Sequence, residues 1–230
     1  MSEHHVAGVH VDDSPRAAPR RTGRPRLVLI CHADDRLNRE GLARWLATVV
    51  ELVGVIELHE TSRRQWRRVR REVRRVGWLR FLDVLAFRIY ARFAQRAADA
   101  RWEAETLARI AETCPPVAES VPILRTSSPN TAEARDFLRR LAPDLMLARC
   151  KTLLGEATFS IPTRGTFVLH PGICPRYRNA HGGFWALAQD DLANVGVTLL
   201  KIDRGIDTGP IYGYFRPTFD PLKDSHQVIQ

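Results

Sequence analysis

Short unbroken apolar runs alternate with stretches of helical period along most of the chain. Arg26–His32 (RLVLICH) is a run of the kind shown by a strand buried on both faces of a parallel sheet. The residues after it place Leu37, Leu42, Trp45, Leu46 and Val49 near a helical period, and Leu52–Leu58 (LVGVIEL) is a second apolar run. Strand, helix and strand in this order predict a right-handed crossover unit of an open α/β sheet. The pattern resumes with a strand at Val121–Leu124. The helix of SPNTAEARDFLRRLAPD follows, with Asn130 or Thr131 as its N-cap, Glu133 in its first turn and Pro143 beyond its end. Further strands are expected at Asp144–Ala148 and Gly165–His170, and Val195–Asp203 and Gly209–Phe215 alternate as antiparallel or mixed neighbours do. Trp185, Ala186 and Leu187 read as the buried face of a short helix.

One segment breaks the alternation. From Glu60 to Arg101 there are thirteen Arg against Glu60, Glu72, Asp83 and Asp99, so the chain's entire formal excess of +9 lies there. Trp66, Val69, Val73 and Val76 are three or four apart, and a dense apolar stretch runs from Trp78 to Phe93. This predicts two or three helices, breaking at Gly77 and again near Asp99, as an insertion over about 61–113. Three readings fit it: an amphipathic element with a solvated Arg face, a basic helix on an anionic membrane surface, and, ranked last, a nucleic-acid contact.

Residues 1–24, rich in Pro, Arg, His and Gly, have no apolar period and are expected to be a disordered basic tail; residues 25–230 then form one domain. No stretch carries enough uninterrupted apolar residues to span a bilayer, and the start shows no secretory apolar core. Cys31, Cys114, Cys150 and Cys174 form no CxxC pair and read as reduced thiols. The expected compartment is the cytoplasm, with a peripheral place at a membrane left open by the Arg-rich helices.

The densest chemistry lies in LHPGICPRYRNAHGGFWAL, Leu169–Leu187. A strand ending at His170 and followed by Pro171 and Gly172 puts an imidazole at a strand's carboxyl end, where open α/β sheets bind ligands. The later loop IDRGIDTGP offers Asp203 and Asp207, with Gly205 and Gly209 permitting positive φ and close backbone approach. The spacing His-x3-Cys-x6-His through Cys174 and His181 fits no common zinc pattern, so no metal is expected.

Together, HPGICPRYRNAHGGFWAL and VGVTLLKIDRGIDTGPI resemble the signature of the 10-formyltetrahydrofolate-dependent formyltransferases, which act on glycinamide ribonucleotide, methionyl-tRNA and sugar amines. His170, Pro171, Pro175, Tyr177, Arg178, Trp185, Ala186, Gly196, Val197, Thr198, Asp207, Gly209 and Pro210 match in register. The resemblance implies a Rossmann-like formyltransferase fold of α/β class, with an open, mostly parallel sheet, helices on both faces and the basic helical segment inserted. It implies an enzyme that transfers a formyl group from 10-formyltetrahydrofolate to an amine. His170 and Asp207 correspond to two members of the family's Asn, His, Asp trio. Pro171, Gly172, Cys174, Pro175, Tyr177, Arg178, Asp203 and Gly205 fall in the segments that line the folate.

The third member does not carry over: Val168 stands where the family places Asn, Gly172 replaces its Ser, and Asn179 replaces its Gly. Three readings of Val168 follow. Asn179 or His181 substitutes as donor, water replaces the amine as in a formyltetrahydrofolate hydrolase, or the domain binds without catalysing. The strand after Arg26 leads into HADDRLN rather than a Gly-rich phosphate turn, and no C-terminal tRNA-binding domain is expected before Gln230. A sugar-linked or other small amine is the least contradicted acceptor. DSHQVIQ, at the end, reads as the start of a helix.

Overall fold

The computed structural model of the chain describes residues 23–178 and 182–220; residues 1–22 of the expected tail (1–24) and the expected helix in DSHQVIQ lie outside them. Seven strands form one sheet in the order β3-β2-β1-β4-β5-β6-β7. They are β1 (Arg26–His32), β2 (Glu51–Leu58), β3 (Ile123–Thr126), β4 (Leu145–Arg149), β5 (Gly165–His170), β6 (Val197–Lys201) and β7 (Ile211–Phe215). The first five run parallel, and β6 and β7 are antiparallel additions at one edge. Chain order reverses between β1 and β4, which makes that boundary the switch point of the sheet.

Alternation within β1 explains why helices cover both faces. Val28 and Ile30 pack with Ala134, Phe137 and Leu138 of α3 (Ala132–Leu141), whereas Leu27, Leu29 and Cys31 pack with Ala43 and Leu46 of α1 (Ala43–Val49). Successive strand residues point to opposite faces, so an unbroken apolar strand serves two cores at once.

Several expectations are corrected in detail. Trp45 and Val49 are about half exposed, not part of the buried stripe of α1. The reason lies in the π-helical stretch Leu37–Leu42, whose wider turn rotates the face that follows. Strand β3 starts two residues later than expected, because Pro122 has no N–H to donate to the ladder and the Val121 amide is taken by the Ala118 carbonyl in a turn. Thr131, not Asn130, caps α3, its hydroxyl accepting from the Ala134 amide at 3.1 Å; Asn130 instead holds the Leu153–Gly155 turn.

The basic segment is one helical element, α2 (Ser62–Thr113), interrupted at Gly77, where φ is 78°. No break occurs near Asp99, whose neighbours Ala98, Ala100 and Arg101 all favour helix. The far end of α2 joins the domain: Leu107 and Ile110 lie so close to Gly41 that an added Cβ there would sit 3.0 Å from Ile110 Cδ1. Among the described residues, no helix is long and apolar enough to cross a membrane. The remaining short helices are α4 (Glu156–Phe159) and α5 (Gly182–Ala188).

Candidate active site

Strand β5 ends at His170, and Val168 shares its face because side chains two apart in a strand point the same way. His170 is buried, and its Nδ1 lies 3.4 Å from Oδ2 of Asp207. Its Nε2 lies 2.9 Å from the Tyr177 carbonyl oxygen. A carbonyl and a carboxylate both accept, so meeting both partners takes an N–H on each ring nitrogen.

Strand pairing alone would keep Asp207 away. Lys201, at the end of β6, lies opposite Phe167, three residues from His170 and therefore about 10 Å back along β5. The loop from Ile202 to Pro210 must return over the sheet to bring Asp207 to the imidazole, and its local chemistry accounts for the turn. Asp203 Oδ1 accepts from the Gly205 amide at 2.9 Å and the Thr208 hydroxyl at 2.8 Å. Asp207 itself adopts the left-handed region, φ 53°, which a non-glycine residue enters at a cost. The expectation of positive φ at Gly205 and Gly209 is corrected accordingly: both are needed for close approach. A Cβ on Gly209 would lie 1.8 Å from the Lys201 carbonyl oxygen, and one on Gly205 2.0 Å from Thr208 Oγ1.

The other side of His170 is built by the loop after β5. Gly172 and Gly182 face each other so closely that a Cβ on Gly172 would meet the Tyr177 oxygen at 2.4 Å, the Gly182 Cα at 2.9 Å and His170 Nε2 at 3.0 Å. Glycine at both positions lets the Tyr177 carbonyl reach the imidazole. Tyr177 is pinned from its other end, its hydroxyl donating to Asp191 at 2.8 Å. Burial and that bond push the phenol up, while hydrogen bonds from Tyr177 and Asn194 hold the Asp191 carboxyl below its ordinary range. Thr198, fully buried at the start of β6 opposite His170, donates to the Gly172 carbonyl at 2.6 Å and accepts from the Cys174 amide at 3.0 Å. Its motif was legible in the sequence, but its bridging role follows only from the antiparallel pairing.

The expected folate-lining residues divide. Gly172, Cys174 and Tyr177 are buried within the loop's own packing; Pro175, Arg178 and Gly205 are exposed, and Pro171 and Asp203 are half-buried beside them. Burial first and Asp207 second push the Cys174 thiol up, so it is no nucleophile near neutral pH. Val168 is half-buried and offers no side-chain donor. Asn179 and His181, the expected substitutes, lie outside the described residues. Trp185 is 53% exposed, edge-on to Phe184, which corrects its assignment to a buried face; Ala186 is buried with Tyr177 and Val195, Leu187 is partly buried against them, and Gly182 is buried where its backbone abuts Gly172.

Next to the site, at the carboxyl end of β4, Arg149 donates to the Leu169 carbonyl at 2.6 Å and to Asn38 Oδ1 at 3.1 Å, so a half-buried cation braces β5 one residue before His170. No sequence motif marked it.

The sequence pattern of the formyl transferase family matches residues 94–230, more than half of the chain. A methionyl-tRNA formyltransferase of Thermotoga sp. (strain RQ2) is 33% identical over 109 residues, 47% of this chain and 34% of that protein. One of Mycobacterium ulcerans (strain Agy99) is 36% identical over 110 residues, 47% of this chain and 35% of that protein. The match thus spans about a third of the length of these curated relatives. Among solved structures, a phosphoribosylglycinamide formyltransferase from Streptococcus pneumoniae TIGR4 aligns with a TM-score of 0.48 at 15% identity, covering 90% of this chain and 88% of that one. A formyltetrahydrofolate deformylase from Pseudomonas syringae pv. tomato aligns with a TM-score of 0.48 at 13% identity, covering 84% and 51%.

Proposed function

The chain belongs to the formyl transferase family, and from that premise we propose that it transfers a formyl group from 10-formyltetrahydrofolate to an amine, with His170 and Asp207 as the working pair. The observation that carries this reading is the 3.4 Å approach of Asp207 to His170, made by a loop that turns back over the sheet within the matched segment. As the amine attacks the formyl carbon, a C–N bond forms and the carbonyl oxygen becomes an oxyanion. An N–H of His170 donates to that oxygen, taking the place of one of its present acceptors. The Tyr177 carbonyl is the partner to be exchanged, because Asp207 must stay beside the ring to accept the amine's proton through a water. Collapse of the intermediate returns the electron pair to the carbonyl and expels the folate nitrogen, which takes up a proton.

The acceptor in this reading is a small amine, such as a sugar-linked one, and the four free cysteines support a reducing, cytoplasmic setting. Pro171, Pro175 and Arg178 form the accessible rim on which the folate would rest, and Asn179 or His181 is the candidate for the donor that Val168 lacks. Assaying 10-formyltetrahydrofolate with a panel of amino sugars tests the reading. Turnover should fall about a hundredfold or more in His170→Ala and in Asp207→Ala, and undiminished turnover in both would remove the assignment.

Val168 supports a second reading, a domain that binds the formyl folate without transferring its formyl group. Folate binding by the parent chain with neither formylated amine nor released formate across the panel would favour it.

A further inference from the structure

We propose that α2 docks the protein on an anionic lipid surface, through an exposed apolar stripe in an arginine-rich segment. This goes beyond the catalytic reading and does not depend on it. Trp78, Leu82, Leu85 and Ile89 are spaced four, three and four residues apart, which places them within about 60° of arc on one helix face. They are 69%, 56%, 39% and 49% exposed. Among the described side chains from Ser62 to Ala98 only Phe81 is buried, and it lies edge-on to Trp78. On the other side of Gly77, Trp66 and Val69 are exposed too, beside exposed Arg70 and Arg74. A Cβ on Gly77 would meet nothing within 4 Å, so only its φ of 78° calls for glycine there. The kink joins two helical arms, each of which bears an exposed tryptophan.

Charge decides the occupant. The segment from Glu60 to Arg101 carries a formal charge of +9 while the rest of the chain is neutral. A second copy packed on this face would set two such segments against each other. A nucleic acid would meet the arginines but leave the apolar stripe in water. An anionic bilayer interface meets both: tryptophan and leucine enter the headgroup boundary, and arginines remain at the phosphates.

The test is co-sedimentation of the full chain with vesicles of phosphatidylcholine alone or mixed with phosphatidylglycerol. Binding is expected to the mixed vesicles only and to weaken with salt. Trp78→Glu and Leu82→Glu should each lower the partition coefficient roughly tenfold, and Arg70→Gln and Arg74→Gln roughly fivefold each. These side chains are exposed, so the variants should keep the parent's circular dichroism and melting temperature. The proposal is overturned by absent binding to mixed vesicles, by equal binding to neutral ones, by full binding of the two glutamate variants, or by a homodimer that Leu82→Glu dissociates.

Discussion

Gly172→Ser installs the residue that the family pattern carries at this position, and the structure gives it a definite cost. The new Cβ would lie 2.4 Å from the Tyr177 carbonyl oxygen and 2.9 Å from the Gly182 Cα. Both are backbone atoms: Tyr177 is held through its hydroxyl bond to Asp191, the Gly182 side through the Gly183 amide on the Pro171 carbonyl, and Thr198 holds Gly172 itself, so no side-chain rotation relieves the clash. Overpacking of this kind costs about 1–3 kcal/mol, and each kcal/mol lowers the melting temperature of a domain this size by about 2–4 °C. Part of the relief must come from retreat of the Tyr177 carbonyl, which frees His170 Nε2 from its 2.9 Å partner. Differential scanning calorimetry of parent and variant measures the first effect. The second appears as a shift of the His170 ring resonances in heteronuclear NMR spectra. A variant that melts within about 1 °C of the parent, with unchanged His170 resonances, would refute the claim that glycine is what brings this carbonyl to the imidazole.

Gly209→Ala puts a Cβ against the Lys201 carbonyl, so it should lower the melting temperature by several degrees and cut turnover together, by moving Asp207; a silent variant would show that the loop's return does not depend on that contact. The carboxyl of Asp191 is held low by bonds from Tyr177 and Asn194, so its ionised form stabilises the fold above the ordinary carboxylate range and that contribution is lost as pH falls through it. The stability gap between the parent and Asp191→Asn should therefore be widest near neutrality and close on acidification, as urea melts at a series of pH values would record. Burial pushes the Cys31 thiol up to about 12 and the Cys150 thiol up to about 11. Iodoacetamide near pH 8 should leave both unmodified in the native protein and label them after denaturation, as peptide mass spectrometry would show.

Much of this architecture is local in origin and could be read from the sequence. The runs in β1, β2 and β4 are apolar because each strand faces two cores, and Thr131 and Pro143 bracket α3 by capping chemistry that involves only neighbouring residues. The pairing of His170 with Asp207 was legible as a motif, and Val168 as a departure from it. The course of α1 was not, since a π-helical stretch rotates its buried face and no residue pattern announced it. Nor was the continuity of α2 past Asp99, where a break was expected.

Tertiary structure decided what surrounds the histidine. Antiparallel pairing puts the end of β6 three residues away from His170, and the Asp203 bonds, the backbone contact at Gly209 and the left-handed turn at Asp207 bring the carboxylate back. The Tyr177 carbonyl and the Gly172–Gly182 approach act through backbone atoms that every residue type shares, and the Thr198 hydroxyl reaches backbone groups more than twenty residues away in the chain. Side-chain identity therefore marked where the chemistry lies. Backbone oxygens and close-packed glycines, which carry no sequence signature of their own, fix how the imidazole is held.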